Sequence, residues 1–181
     1  ERQSLEPLLA TPAPRAALAL GKIAATCLFS LVALTETLAL FGLVPLALPP
    51  ARIGLSVRLD PWVLVRAFGL GLPLVLLSGA LMVVLAARAR TFRAAQTTLS
   101  LLTLVPAMPG LVMTWLQPRG AAWLLALPYV GEQMIVARLV RGEHVPFQDG
   151  AMSAIATLAV AALVAWLAAR TFERGQPLFG P

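Results

Sequence analysis

Acidic and amide side chains inside apolar segments are the residues of this chain whose types are best suited to a chemical role. Glu36 stands between Thr35 and Thr37 near the middle of the first long apolar run. An ionised carboxylate at that depth costs roughly 2.5–3.5 kcal/mol on membrane-insertion scales, so we expect Glu36 to face a bundle interior or water. Two hypotheses remain open: it lines a substrate path or subunit contact, or it is protonated and hydrogen-bonded to a neighbouring hydroxyl. Glu132 and Gln133 are further candidates for residues that line a translocation path.

Residues suited to enzymatic chemistry are sparse. An intramembrane enzyme needs clustered acids, bases or metal ligands at membrane depth, whereas His144, the one histidine, lies in a predicted loop and Glu36 stands alone. The single cysteine, Cys27, excludes an internal disulfide and a cysteine metal cluster. Gly21-Lys22 lacks both the upstream glycine and the following hydroxyl of a phosphate-binding loop, so we expect neither ATPase activity nor a bound cofactor in this chain.

Composition sets the class of protein. Hydrophobic residues make up 59% of the 181 residues and charged residues only 12%, against roughly 25% charged residues in a soluble domain. The 14 basic residues outnumber the 8 acidic ones, but they fall at the ends of apolar runs instead of forming a patch interleaved with aromatic residues. The sequence therefore predicts an integral membrane protein and no nucleic-acid partner.

Four apolar runs are long enough for transmembrane helices, which need about 20 residues. The third run contains Pro106 and Pro109, which remove two backbone donors within one turn and predict a kink or local unwinding near mid-membrane. We therefore add Pro106 and Pro109 to the residues that are candidates for lining the translocation path. The predicted spans are approximately residues 23–44, 67–87, 97–116 and 150–169.

The second run is rich in small residues, which allow a neighbouring helix to approach closely. Tight packing is expected there, but the run contains no GxxxG motif, so no specific dimer interface is predicted. The residues are Gly69, Gly71, Pro73, Ser78 and Gly79.

The N-terminal 22 residues predict a short amphipathic helix, a bend and then a long helix. Leu5, Leu8 and Leu9 have the i, i+3, i+4 spacing that places them on one helical face, and Ser4 is a candidate N-cap. Pro12 disfavours a helical conformation at the residue before it, which ends the first piece. Such a helix can transmit force to a membrane protein, or it can simply lie in the lipid headgroups.

Residues 121–142 form an apolar stretch that Pro128 interrupts and several polar residues punctuate. The stretch is too polar to span a bilayer comfortably and too apolar for a free loop, so it predicts a re-entrant or interfacial helical hairpin. Trp115 and Trp123 flank its start, as residues of an aromatic belt would. The alternative is a surface loop packed on the spans without a role in transport.

Positive charges predict the orientation. Arg88, Arg90 and Arg93 cluster in the short connection between the second and third spans, where positive charges most strongly favour the cytoplasm. We therefore expect residues 1–22, 88–96 and 170–181 on the cytoplasmic side and the 121–142 hairpin on the outer side. Eight of the 14 basic residues then lie inside: Arg2, Arg15, Lys22, Arg88, Arg90, Arg93, Arg170 and Arg174.

Three stretches carry a resemblance to a known family. The opening run Glu-Arg-Gln-Ser-Leu-Glu-Pro-Leu-Leu-Ala-Thr-Pro, followed by Leu20-Gly-Lys, resembles the cytoplasmic coupling segment of type-2 ABC exporter permeases, most closely the sodium-exporter NatB-like branch. Leu127-Pro-Tyr-Val-Gly and Leu139-Val-Arg-Gly-Glu resemble the extracytoplasmic re-entrant hairpin of that family. The match covers essentially the whole chain in order and is specific for the family but not for the substrate.

The resemblance implies the C-terminal portion of a six-span permease, in an all-α integral membrane fold. A cytoplasmic coupling helix, within residues 1–22, precedes a transmembrane domain over residues 23–181 that has about four spans and an outer re-entrant hairpin before the last. This helix would dock on a separate ABC ATP-binding subunit, which holds the ATP and Mg²⁺. The residues implied in this coupling are Glu1, Arg2, Leu5, Glu6, Leu8, Leu9 and Pro12.

The family further implies a second permease copy or a sister permease as partner, in the cytoplasmic (inner) membrane of a bacterium. The nearest branch suggests sodium as the cargo, although related permeases move drugs, lipids or polysaccharides, and the sequence shows no cage of oxygen ligands within the spans. A structural or accessory membrane subunit is the alternative function, and an intramembrane enzyme is disfavoured.

Overall fold

The computed structural model describes residues 15–47, 60–89, 91–116 and 122–173, and its regular elements there are all helical. This confirms the predicted all-α class. The predicted coupling residues 1–12 lie outside the described residues. Within these ranges, five α-helices and one 3₁₀ helix follow one another: α1 Arg15–Ala47, α2 Pro61–Arg88, α3 Phe92–Leu116, the 3₁₀ helix Ala122–Ala126, α4 Val130–Val140 and α5 Phe147–Glu173.

Three of the described helices are long and apolar enough to cross a membrane. The segments are Leu20–Leu43 in α1, Pro61–Ala86 in α2 and Phe147–Arg170 in α5. They correspond to the first, second and fourth predicted spans, and the helices around them extend beyond the predicted limits. Together with the composition, they indicate a membrane protein. The third predicted span falls in α3, which is not one of the three.

The first half of α3 is more polar than the start of the other long helices. Thr97, Thr98 and Ser100 lie in its first nine residues, and each donates a hydrogen bond to the backbone carbonyl four residues earlier, at 2.8–3.0 Å. Such bonds satisfy the hydroxyls locally, although they do not remove their effect on average hydropathy. Arg93 and Gln96 add to the polarity, so α3 is the least apolar of the four long helices at its start.

Helix α2 is the central element of the bundle and packs against both α1 and α5. Half of its most apolar stretch is buried, compared with 11% of that in α1 and 22% of that in α5. Two glycines of α2 allow the close approach of α1. A Cβ atom on Gly71 would lie 2.6 Å from Leu34, and one on Gly79 would lie 2.7 Å from the Cys27 Sγ. The expected tight packing is therefore present.

The bundle has a separate cluster of buried apolar residues at each of its two ends. At one end, Ile23 near the start of α1 packs with Val84 near the end of α2 and Ala168 near the end of α5. At the opposite end, Leu70 of α2 packs with Leu125 of the 3₁₀ helix, and the cluster continues into α4 and the residues before α5. The first end carries Lys22, Arg88 and Arg170. The guanidinium of Arg170 lies 4.0 Å from the centre of the Trp166 ring. The hairpin occupies the second end.

The two prolines of α3 do not interrupt it. The helix continues from Phe92 to Leu116 through Pro106 and Pro109, so it is not unwound there, and the predicted kink stays a prediction. Proline removes one donor per residue and leaves the carbonyl four positions earlier without its usual partner, but the backbone angles of the other residues can stay helical. Both proline side chains are half-buried, and the helix packs against α2 and α4.

Candidate functional site

Two short helices and the α5 helix together hold the buried polar groups of the described chain. The two short helices and the turn between them form a hairpin. It consists of the 3₁₀ helix, the turn 127–129 and α4, and we call it the 122–140 hairpin. Tyr129 closes the turn with φ at 67°, a left-handed conformation that a bulky side chain adopts only when surrounding contacts hold it. Its hydroxyl lies 2.9 Å from the Ser78 hydroxyl of α2, and this hydrogen bond supplies such a contact.

Gly131, two residues later, lies closely against the elements on either side. A Cβ atom there would lie 2.5 Å from the Ser153 Oγ of α5 and even closer to the carbonyl oxygen of Leu125. No real Cβ atom tolerates such contacts, so only glycine fits this position without movement of the backbone. The absence of a side chain lets the start of α4 pack directly between the 3₁₀ helix and α5.

Glu132 follows Gly131 and is almost completely buried, with 1% of its surface exposed. Its Oε1 atom accepts a hydrogen bond from the Thr157 hydroxyl of α5, whereas its Oε2 atom is buried without a hydrogen-bond partner. Ser153, one turn before Thr157 on α5, is also fully buried, and its hydroxyl has no hydrogen-bond partner. A carboxylate and two hydroxyls therefore lie between α4 and α5.

Gln133 connects the hairpin to α3. Its amide nitrogen donates a short hydrogen bond to the carbonyl oxygen of Pro106, 27 residues earlier in the chain. Its Oε1 atom is buried without a hydrogen-bond partner and lies 3.2 Å from the position a Cβ atom on Gly110 would take. The sequence named Gln133, Pro106 and Pro109 as candidates for one path, and the structure brings the first two into direct contact.

Glu36 does not belong to this cluster. Its side chain is exposed on the surface of α1 and does not face the interior formed by the described helices. The expectation that Glu36 faces either a bundle interior or water, as part of a substrate path or a subunit contact, stays a prediction. The neighbouring hydroxyls of Thr35 and Thr37 donate to the carbonyl oxygens of Leu31 and Ala33 in the same helix. Helix geometry is the reason: residues 27, 31 and 34 face α2 and its neighbours, which directs residue 36 away.

A polar loop joins the hairpin to α5. Arg138 forms ion pairs with Asp149 at 3.1 Å and Glu143 at 3.4 Å, and Arg141 pairs with Glu143 at 2.6 Å. The hydrogen bond from Arg141 is the main cause that lowers the pKa of the Glu143 carboxyl below its ordinary value, and Arg138 contributes in the same direction. His144 is exposed, and its backbone carbonyl accepts a hydrogen bond from Arg138.

Ser78, Tyr129, Ser153 and Thr157 are members of the site that sequence reasoning missed. The pair Ser153 and Thr157 carried a usable signal, since hydroxyls four residues apart in an apolar run share one helical face. That signal was overlooked because serine and threonine commonly satisfy themselves on their own helix, as they do in α3.

No protein-family model, curated protein or solved structure matches this chain. Its class therefore comes from the fold and the site: an all-helical protein whose described part has three helices able to cross a membrane, with a polar hairpin packed on them. Among the described residues, no three His, Cys, Asp or Glu side chains are grouped as they would be to hold a metal ion.

Proposed function

We propose that this chain is a permease subunit of an ATP-driven exporter, which forms part of a translocation path and couples to a separate ATPase subunit. One observation carries the proposal: a short hairpin inserts polar side chains among long apolar helices. Glu132 reaches α5, Gln133 reaches α3 and Tyr129 reaches α2. Polar groups are costly at membrane depth and are characteristic of substrate paths there, which supports a role in transport. The family resemblance described above supplies the type of transporter.

The proposal includes a finer topology. Helix α3 serves as a fourth span, and the 122–140 hairpin enters the membrane from the outer side before α5. The end of the bundle that carries Lys22, Arg88 and Arg170 faces the cytoplasm, in keeping with the preference of short basic segments for that side. The protein lies in the cytoplasmic membrane, and a second copy or a sister permease completes the path.

Residues 1–12 couple this path to the ATPase. Leu5, Leu8 and Leu9 fill an apolar groove on the ATP-binding subunit, while Glu1, Arg2 and Glu6 set the register through their charges. ATP-driven closure of two such subunits then tilts α1 and opens the path alternately to either side. The helix-in-groove mode explains why the apolar residues share one face.

Co-purification tests the proposal. The full-length natural protein is co-expressed with its ATP-binding subunit, extracted in detergent and captured, and retention of the ATPase is compared between variants. We expect the double substitution Leu8→Asp, Leu9→Asp to release the ATPase, because it places two charges in the apolar groove. The control Gln3→Asp, Ala10→Asp adds the same charge on another helical face and retains the ATPase.

Two results would contradict the proposal. If the wild-type protein retains no ATPase, a structural or accessory membrane subunit becomes the better interpretation. If the Leu8→Asp, Leu9→Asp protein retains both the ATPase and its stimulation by transport substrate, residues 1–12 are not the coupling element.

A further inference from the structure

The contact between the 122–140 hairpin and α5 contains oxygen atoms whose hydrogen-bonding capacity is incompletely used. Glu132 Oε2 and Ser153 Oγ are both buried and have no hydrogen-bond partner, while Thr157 uses its hydroxyl proton on Glu132 Oε1. Buried polar atoms are nearly always paired with protein, ordered water or an ion. Two such oxygens, one on α4 and one on α5, are therefore available to bind a further species.

A backbone carbonyl oxygen lies near the Ser153 hydroxyl. The carbonyl oxygen of Leu125 and the hydroxyl of Ser153 both lie within 2.5 Å of one point beside Gly131, so the two oxygens are close neighbours. Leu125 belongs to the last turn of the 3₁₀ helix, where carbonyl groups point out of the helix and favour positive charge. The oxygens thus come from a carboxylate, two hydroxyls and a carbonyl.

The Glu132 carboxyl forms no ion pair with a basic side chain within the described chain. The ion pairs there join Arg138 and Arg141 to Glu143 and Asp149, in the loop after α4. Burying an ionised carboxylate without a counter-charge is strongly unfavourable. A bound species with a single positive charge would remove this cost.

We propose that Glu132, Ser153 and Thr157, with the carbonyl of Leu125, bind a monovalent alkali-metal cation. Oxygen donors of these kinds suit hard cations. One carboxylate balances one positive charge, and the described residues provide no cluster of acidic, histidine or cysteine ligands for a divalent or transition metal. The bound cation would tie the hairpin to α5. This inference does not require the exporter proposal, because it concerns only contacts within this chain.

Thermal unfolding in defined salts tests the site. The purified full-length protein is unfolded in detergent with sodium, potassium, lithium or choline chloride at equal ionic strength. We expect at least one alkali cation to raise the melting temperature saturably relative to choline, because a ligand that binds only the folded state stabilises it. Glu132→Gln is expected to abolish this rise. Ser153→Ala, which removes one ligand, is expected to weaken the apparent affinity by about tenfold or more.

One variant serves as a control, and two results would overturn the proposal. Glu36→Gln changes a carboxyl that is exposed on α1, and it should leave the response to the cation intact. If Glu132→Gln does not fold, Ser153→Ala and equilibrium dialysis of the wild type with radioactive sodium decide the question. The proposal is overturned if no alkali cation stabilises the wild type beyond choline, which would leave a buried water or a proton at Glu132. It is also overturned if Glu132→Gln keeps the full response.

Discussion

Gly131 lies where α4, the 3₁₀ helix and α5 meet. A Cβ atom there would collide with the Leu125 carbonyl and the Ser153 hydroxyl, and the Glu132 side chain begins at the next residue. The position of the carboxyl therefore depends on a neighbouring residue that has no side chain. Any atom added at position 131 would displace the hairpin and move the carboxyl with it.

We expect Gly131→Ala to destabilise the protein by about 1–3 kcal/mol, because the added methyl group overpacks a filled contact. The free energy of unfolding in detergent measures this effect. Gly69→Ala in α2 is the matched control, since a Cβ atom there meets nothing within 4 Å. The control should be neutral or slightly stabilising, as alanine is the better helix former. Equal behaviour of the two variants would contradict the model of the hairpin contact.

The contribution of Glu143, in the loop before α5, to the stability of the protein depends on pH. The hydrogen bond from Arg141 lowers the pKa of Glu143 in the folded protein, so its contribution to stability is complete above the ordinary carboxyl pKa. The contribution is lost as the pH falls through the lowered value. We expect Glu143→Gln to reduce stability at neutral pH and to converge with the wild type in acid, as thermal unfolding at a series of pH values would show. Arg141→Gln should reproduce this pattern, and a difference that persists undiminished in acid would contradict it.

The two acidic residues named as path candidates differ in burial at the level of single residues. Glu36 and Glu132 both stand in apolar stretches, yet the described structure exposes the first and buries the second. Sequence spacing reports the depth of a residue in a span but not which face meets a neighbour. That choice depends on contacts between distant segments, such as the contact of Glu132 with Thr157, 25 residues away.

Helix α3 shows how one element can depend on another. Its two prolines lie in the half that faces the hairpin, and Gln133 donates to the Pro106 carbonyl from α4. The prolines and the hairpin were each evident in the sequence. The bridge between them was not, because it joins residues in two elements whose relative position only tertiary packing determines.

We expect Gln133→Leu to loosen α3 locally while leaving the bundle of α1, α2 and α5 intact. The substitution removes the hydrogen bond to Pro106, which is typically worth about 1 kcal/mol, in a helix that has already lost two backbone donors. Hydrogen exchange should become faster at residues 102–111 and stay unchanged in α5. Gln148→Leu, at an exposed position, is the control and should leave exchange in α3 unchanged. Unaltered exchange at residues 102–111 in Gln133→Leu would contradict the bridge.

At the scale of the whole molecule, composition and run length were enough to predict an all-helical membrane fold, and three of the four predicted spans correspond to long apolar helices. Glycine content also predicted tight packing of the second span, which Gly71 and Gly79 provide against α1. The central place of α2 could not be predicted, because the three helices that could cross a membrane are similarly apolar. Only the pairing of helix faces distinguishes the buried one.

The close contact of α1 with α2 makes Cys27 a natural reporter of their separation. This is the only cysteine in the chain, and its sulfur lies beside Gly79 and within 3.6 Å of the Val75 carbonyl oxygen. A thiol reagent can reach it only when the two helices part. The alkylation rate of Cys27 in the unmodified protein therefore reports how often α1 moves away from α2 at the centre of the bundle.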